Sequence, residues 1–213
     1  MTCGNLLCGS VAIVLAMQGH LAMASWLMIV AGILDFGDGF AARWLNVTGP
    51  FGKELDSLAD MVTFGLLPAI LVFQLCTQMG WGNWAYAAFL IVVLSALRLA
   101  KFNIDTRQSY GFIGVPTPAN GLMIAAFPLM GLYQPSLNSI WQNDIVLGAI
   151  ILFSFMLVTE LPLMAFKFKS FGWAENRVKY IFLGLSALLL LVLQFAALPI
   201  IVGLYIVFSL VFK

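Results

Sequence analysis

Long hydrophobic runs, separated by short polar or Gly/Pro-containing breaks, occupy nearly the whole chain. Each run is predicted to be a membrane-spanning helix, because a span needs roughly 17–25 largely apolar residues. The runs cover residues 4–19, 21–44, 55–77, 84–103, 117–133, 144–166, 178–194 and 196–212. The last two are divided at "AALPI", since the stretch after Arg177 is too long for a single helix. The pattern predicts six to eight transmembrane helices, with eight favoured.

The composition agrees with a protein that lies in lipid. Hydrophobic residues make up 62% of the 213 residues and charged residues 9%, which is too few to cover the surface of a water-soluble domain. A net charge of +1 excludes a broad nucleic-acid-binding surface. The predicted fold class is therefore an all-α integral membrane protein, built as one helical bundle.

The basic residues give this bundle an orientation, since Lys and Arg concentrate in cytoplasmic loops. They fall at alternate connections and at the end of the chain: Arg43, Lys53, Arg98, Lys101, Arg107, Lys167, Lys169, Arg177, Lys179 and Lys213. The intervening turns, near His20, Trp81 and Trp141, contain neither Lys nor Arg. An even number of spans with both termini cytoplasmic accounts for every basic residue.

Four aspartates lie at the facing ends of the second and third predicted helices. Asp35 and Asp38 are three residues apart, and Asp56 and Asp60 are four apart, so each pair shares one helical face. The connection between the two helices is short, which makes them antiparallel neighbours. The sequence therefore predicts that the two acidic faces meet.

Carboxylates gathered in a low-dielectric setting repel one another and mostly protonate unless a cation neutralises them. Oxygen ligands with open positions suit Mg²⁺ or Mn²⁺, and both ions also bind substrate phosphates. The alternative is a set of surface ion pairs with Arg43 and Lys53. Metal binding is favoured because four acids are involved and intramembrane acids are costly and usually functional.

Small residues beside the acids indicate that something approaches the backbone closely. Gly37 and Gly39 interrupt a helix-forming segment, and each costs about 1 kcal/mol relative to Ala. The alternative is that the small residues allow tight helix packing. Close approach of a ligand and tight packing are compatible if Gly39 and Ala42 line a cleft. Arg43, a little over one turn beyond Asp38, offers a guanidinium fork to a phosphate.

These residues resemble a known signature. The pattern Asp35-x2-Asp38-Gly39-x2-Ala42-Arg43-x8-Gly52-x3-Asp56-x3-Asp60 is similar, without departure, to that of the CDP-alcohol phosphotransferases. Four further blocks resemble the bacterial and archaeal membrane-embedded phosphatidylserine synthases: "GNLLCGSVAI", "FGKELDSLADMVTFGLLPA", "ALRLAKFN" and "GFIGVPTPANG". The resemblance implies one transmembrane domain over residues 1–213, with a catalytic core at about 1–133 and additional helices at 144–213.

The resemblance also implies an activity. Such enzymes transfer the phosphatidyl group of CDP-diacylglycerol to an alcohol, here the hydroxyl of L-serine, and release CMP. Asp35, Asp38 and Asp56 would be ligands of a two-metal site, and Asp60 a ligand or the general base. The cytidine and diphosphate site would be shaped by Gly39, Ala42, Arg43 and Gly52. A homodimer is expected by resemblance. Because the lipid tail stays in the bilayer, the site is expected at the cytoplasmic face of a prokaryotic cell membrane.

Other polar residues have one or two predicted roles. Arg98 and Lys101, with Asn103 beside them, are candidates for the acceptor's carboxylate or a phosphate, or they are ordinary membrane anchors. Asn5 is either a nucleotide contact or a helix cap. Thr117 is predicted to be the N-cap of the fifth helix. Glu160 is predicted inside the sixth span, paired with a buried polar group or a partner subunit.

Two rival functions are also consistent with these residues. A related phosphotransferase would use glycerol 3-phosphate or an inositol phosphate, although the few cations near the acids favour a small zwitterionic acceptor. A divalent-cation transporter would place ionisable groups near the bilayer midplane and on both sides. Here the acids cluster at one end, and His20, on the far side, is excluded from catalysis.

Overall fold

The computed structural model describes residues 1–44, 49–105, 112–164 and 172–211. Its α-helices are α1 Thr2–Met17, α2 Leu21–Trp44, α3 Pro50–Asp60, α4 Leu67–Gln78, α5 Leu90–Ile104, α6 Thr117–Tyr133, α7 Asn138–Trp141, α8 Asp144–Phe153, α9 Trp173–Leu193 and α10 Ala197–Val211. A π-helical segment, Met61–Leu66, joins α3 to α4, and 3-10 segments cover Gly82–Phe89, Pro135–Leu137, Ser154–Leu157 and Gln194–Ala196. Two short strands, β1 Phe112–Ile113 and β2 Pro162–Leu163, complete the described elements.

The structure is mostly helical, as the predicted all-α membrane class requires. Four helical stretches in the described chain are long and apolar enough to cross a membrane: Leu21–Phe40, Pro50–Gln78, Gly82–Ile104 and Asn176–Val211. The shorter apolar helices include Thr2–Met17 and Asp144–Leu157. The count of eight crossings and the orientation of the termini stay predictions.

The predicted sixth span is wrong at its C-terminal end. Helical structure that begins at Asp144 stops at Leu157, and the chain continues into β2, which pairs antiparallel with β1. Pro162 prevents the helix from continuing through this region, because proline lacks an N–H and disfavours helical backbone in the residue before it. Gly114, at a φ of +74°, packs so closely here that a Cβ would lie 2.6 Å from the Leu157 carbonyl oxygen.

The predicted break between the last two helices is confirmed. Gln194 has a φ of 49°, and the chain reverses there. The rings of Phe182 in α9 and Tyr205 in α10 pack at a tilt, with their centroids 6.1 Å apart. The Gln134 side chain donates to the Leu193 carbonyl (3.0 Å) and accepts from the Ala196 amide (3.2 Å). These bonds satisfy backbone groups that a helix break would otherwise leave unpaired in lipid.

The stretch from α3 through the π-helical segment to α4 is the centre of the bundle. Phe64, Leu67 and Leu71 are fully buried in its core. The π-helical segment ends just before Pro68, whose missing N–H cannot bond the Phe64 carbonyl in an α-helical pattern. This wider turn begins directly after Asp60 and sets how the following side chains meet α1 and α6.

Candidate active site

Three aspartates converge between α2 and α3. A carboxylate oxygen from each of Asp35, Asp56 and Asp60 lies within 4.8 Å of the others. Asp60 is the most buried, with 8% of its surface exposed, while Asp35 and Asp56 are half-buried. The predicted meeting of the two acidic faces is thus confirmed for these three. Their mutual repulsion makes the group a natural position for a cation.

Asp38 lies at the edge of this group. Its carboxylate accepts a hydrogen bond from the Thr2 hydroxyl at the start of α1. It also interacts electrostatically with Asp35 and Asp56. The structure therefore brings together three of the four predicted ligands and leaves the fourth one turn further along α2, held by the N-terminus of the neighbouring helix.

Asn5 lies inside α1 and faces the same carboxylates. Its side chain is fully buried, and its Nδ2 donates to Oδ1 of Asp60 over 3.3 Å. The cap interpretation is wrong, because Asn5 is already four residues into a helix that begins at Thr2. Its backbone carbonyl accepts from the Thr63 hydroxyl at 3.2 Å, which ties α1 to the π-helical segment.

Gly9 permits this close approach of α1. A Cβ on Gly9 would lie 2.2 Å from Oγ1 of Thr63 and 3.1 Å from its Cα. No side chain larger than hydrogen fits without moving the two helices apart. The "GNLLCG" block therefore contributes both a polar contact to Asp60 and the small residue that lets it form.

Arg98 reaches the site from α5 and is 7% exposed. Its Nη1 donates to Oγ1 of Thr117 (3.4 Å), and its guanidinium lies 5.3 Å from the centre of the Phe102 ring. It interacts electrostatically with Asp60. A surface anchor would be exposed to headgroups and water, so the anchor interpretation does not fit this buried position.

The predicted cap role of Thr117 is wrong. Pro116 occupies the N-cap of α6, and no side chain caps that terminus. The Thr117 hydroxyl is fully buried and accepts from Arg98 instead. A β-branched residue at the first helical position thus serves a neighbouring helix, which the one-dimensional capping pattern did not indicate.

The other two acceptor candidates have different partners. Nζ of Lys101 lies 2.8 Å from Oε1 of Glu160, with side-chain exposures of 40% and 65%, so this is a solvated surface pair. The prediction that Glu160 lies inside a span is wrong, because the helical segment that begins at Asp144 ends at Leu157.

Asn103 fastens the end of α5 to the start of α3. Its Nδ2 lies 3.0 Å from Oγ of Ser57 and 3.3 Å from Oε2 of Glu54. Nζ of Lys53 donates to the Asn103 carbonyl at 2.9 Å. Ser57 follows Asp56 directly, so these contacts hold the part of α3 that carries a carboxylate of the site.

Of the small residues of the signature, Gly52 faces open space. Gly52 is exposed in the first turn of α3, and a Cβ there would meet no atom within 4 Å. Packing among the described residues therefore does not require glycine at this position. Gly39 is half-buried in α2. The side chains of Ala42 and Arg43 lie outside the described residues.

Comparison with known proteins finds a family match that includes the residues of this site. The family model described as CDP-alcohol phosphatidyltransferase matches residues 1–159. A protein of Helicobacter pylori strain J99 named CDP-diacylglycerol–serine O-phosphatidyltransferase is 33% identical, over 99% of this chain and 87% of that protein. A Bacillus subtilis protein of the same name is 33% identical over 78% of this chain and 89% of that protein. The archaetidylserine synthase of Methanothermobacter thermautotrophicus is 36% identical over 59% of this chain and 54% of that protein.

Proposed function

Because the chain belongs to the CDP-alcohol phosphatidyltransferase family, we propose that it transfers the phosphatidyl group of CDP-diacylglycerol to the hydroxyl of L-serine. The products are phosphatidylserine and CMP. The observation that carries the proposal is the convergence of Asp35, Asp56 and Asp60 in a chain that aligns almost end to end with a serine phosphatidyltransferase.

The carboxylates suit a divalent metal. Asp35, Asp56 and Asp60, with Asp38 at their edge, are the residues that would hold Mg²⁺ or Mn²⁺, in a site proposed to take two ions. They provide hard oxygen ligands within 4.8 Å of one another, as these ions prefer. When bound, the metal supplies Lewis-acid polarisation of the diphosphate and stabilises the leaving CMP.

Asp60 is proposed to act as the general base as well as a ligand. It is the most buried of the three carboxylates, and the Asn5 amide fixes its orientation by donating to Oδ1. The serine hydroxyl oxygen attacks the phosphorus that bears diacylglycerol, and its proton passes to Asp60. The bond from that phosphorus to the CMP oxygen breaks, so CMP leaves with the electron pair.

The donor's nucleotide is proposed to lie against the small residues of the signature. Gly39, Ala42 and Gly52 would let the cytidine and diphosphate approach the backbone, and Arg43 would pair with a phosphate. The open space at Gly52 supports this assignment, because a side chain there would occupy a region that the protein itself does not fill.

The same proposal covers the placement of the enzyme. We infer eight membrane-crossing helices with both termini cytoplasmic, a catalytic core at about residues 1–133 and additional helices at 144–213, in a homodimer. The alternation of basic and Lys/Arg-free connections supports this orientation. The active site then lies at the cytoplasmic face of a prokaryotic cell membrane, where a lipid donor meets a water-soluble acceptor.

An acceptor screen tests the assignment. Purified protein with CDP-diacylglycerol and Mn²⁺ is offered L-serine, glycerol 3-phosphate or an inositol phosphate, and CMP release is measured. We expect release with serine and little with the phosphorylated alcohols. Release with a phosphorylated alcohol but not serine would assign a different acceptor, and Mn²⁺ uptake into proteoliposomes without CMP release would favour a transporter.

A further inference from the structure

Several buried side-chain polar atoms lack a hydrogen-bond partner among the described residues, including Oδ1 of Asn5, whose Nδ2 donates to Asp60. Two others lie on α5 and α6: Nε of Arg98, a donor, and Oδ1 of Asn120, an acceptor. Leaving such an atom unpaired costs about 1–3 kcal/mol, and folded proteins do so rarely. A ligand that accepts from Nε of Arg98 and donates to Oδ1 of Asn120 would satisfy both of these atoms.

The orientation of Asn120 follows from its neighbour. The Ser154 hydroxyl donates its one proton to the Ile150 carbonyl at 3.1 Å. Ser154 can then only accept from Asn120, whose Nδ2 lies 3.3 Å away. This arrangement assigns the amide nitrogen to Ser154 and leaves the amide oxygen available.

Asn120 and Arg98 belong to one polar strip. Thr117, which accepts from Arg98 (3.4 Å), is three residues before Asn120 on the same face of α6. Gly121 packs against the π-helical segment, where its Cβ would lie 3.3 Å from Cα of Phe64, one turn beyond Asp60. Arg98, at one end of the strip, interacts electrostatically with Asp60, the carboxylate that is proposed to receive the acceptor's proton.

We propose that Arg98 and Asn120 form a binding subsite for the charged groups of an α-amino acid. Nε of Arg98 donates to the carboxylate, and Oδ1 of Asn120 accepts from the ammonium, which leaves the hydroxyl at Asp60. The proposal rests on the proposed function and deepens it, because the subsite selects an alcohol that carries both charges. Lys101 and Asn103 take no part, since they contact Glu160 and Ser57.

Acceptors that lack one charge separate the two roles. Purified full-length enzyme with CDP-diacylglycerol and Mn²⁺ is given L-serine, ethanolamine or 3-hydroxypropionate, and CMP release is measured at varied acceptor concentration. Ethanolamine lacks the carboxylate, and 3-hydroxypropionate lacks the ammonium. Wild type should prefer serine strongly over both, because a site with buried polar groups rejects a substrate that leaves them unpaired.

Arg98→Met should raise the serine KM at least about tenfold and lower the preference for serine over ethanolamine. The KM for CDP-diacylglycerol should not change. Asn120→Leu, similar in size, should instead lower the preference for serine over 3-hydroxypropionate. Arg177→Met, which removes an exposed cation from α9, is the matched control and should behave as wild type.

Two results would overturn the subsite. Arg98→Met could raise the KM for CDP-diacylglycerol and not for serine, which would assign Arg98 to the donor phosphate. Alternatively, each variant could slow all three acceptors equally, which would assign a structural role. If Arg98→Met does not fold, Arg98→Lys, which keeps the charge without the planar fork, decides by the same comparison. Wild type that releases no CMP with serine would refute the proposed function itself.

Discussion

The two ends of the bundle both carry polar side chains, yet they differ in how those side chains are arranged. At one end, Asp35, Asp56 and Asp60 converge from two helices and are at least half-buried. At the other end, Nε1 of Trp81 donates to an exposed Asp144 at 2.6 Å. An acid at a helix end is therefore not informative alone, whereas convergence with burial supports the proposed reaction centre.

Replacing an acid at each end should give the largest contrast. Asp60→Asn should lower turnover by about 10²–10⁴-fold, because the amide cannot take the serine proton. Asp144→Asn should leave CMP release close to wild type, since its amide oxygen still accepts from Trp81. Melting temperature in detergent checks that both variants are folded. Full activity in Asp60→Asn would remove its role as base.

The metal requirement of CMP release should change more when Asp35, one of the converging acids, is replaced than when Asp38, at their edge, is replaced. Asp35→Asn should raise the Mn²⁺ concentration for half-maximal CMP release by at least about 10-fold, because losing even an outer-shell partner of a metal ligand costs about 10–100-fold in affinity. Asp38→Asn should raise it less, because Asp38 lies outside the close group and contacts Thr2. The reverse order in a Mn²⁺ titration would contradict the structural distinction between them.

The close approach of α1 to the π-helical segment can be broken sterically. Gly9→Ala places a Cβ against Thr63 and should destabilise the protein by about 1–3 kcal/mol, with reduced activity as Asn5 moves from Asp60. Gly203→Ala in α10 is the control, because its Cβ would meet no atom within 4 Å. Thermal unfolding and CMP release measure both. Equal melting temperatures would show that the contact is not tight.

The smallest effect should come from one hydrogen-bonding side chain at each end. Asn103→Ala removes the contacts to Ser57 and Glu54, and should cost about 1 kcal/mol and lower turnover a few-fold. Gln134→Ala at the α9–α10 break should cost a similar amount of stability without changing turnover. A selective rise in the serine KM with Asn103→Ala would restore Asn103 as an acceptor contact.

Hydropathy and spacing predicted the helices and the acidic group well, because both signals are local. The break near Gln194 and the shared faces of Asp56 and Asp60 follow from chain length and helical period. Glu160 was predicted inside a helix because a hydropathy average includes the apolar residues around Pro162. The pairing of β2 with β1 shows that this part of the chain is extended.

The partners of buried polar residues were harder to predict. Thr117 matched a capping pattern, but its hydroxyl is used by Arg98 on another helix. Asn120 lies in the "GFIGVPTPANG" block that resembles the family, but the block did not indicate its partner. The orientation of its amide depends on Ser154, in a helical turn over thirty residues away. Such contacts depend on helix packing, which the spacing of residues along one helix does not specify.

The most direct test of the three-carboxylate centre is coupled product formation under metal control. Purified enzyme with CDP-diacylglycerol, L-serine and Mn²⁺ should form CMP and phosphatidylserine in equal amounts. Chelation with EDTA should bring both to background, and added Mn²⁺ should restore both. Product formation that persists in EDTA, or CMP release that does not require serine, would contradict a metal-dependent transfer to serine at Asp35, Asp56 and Asp60.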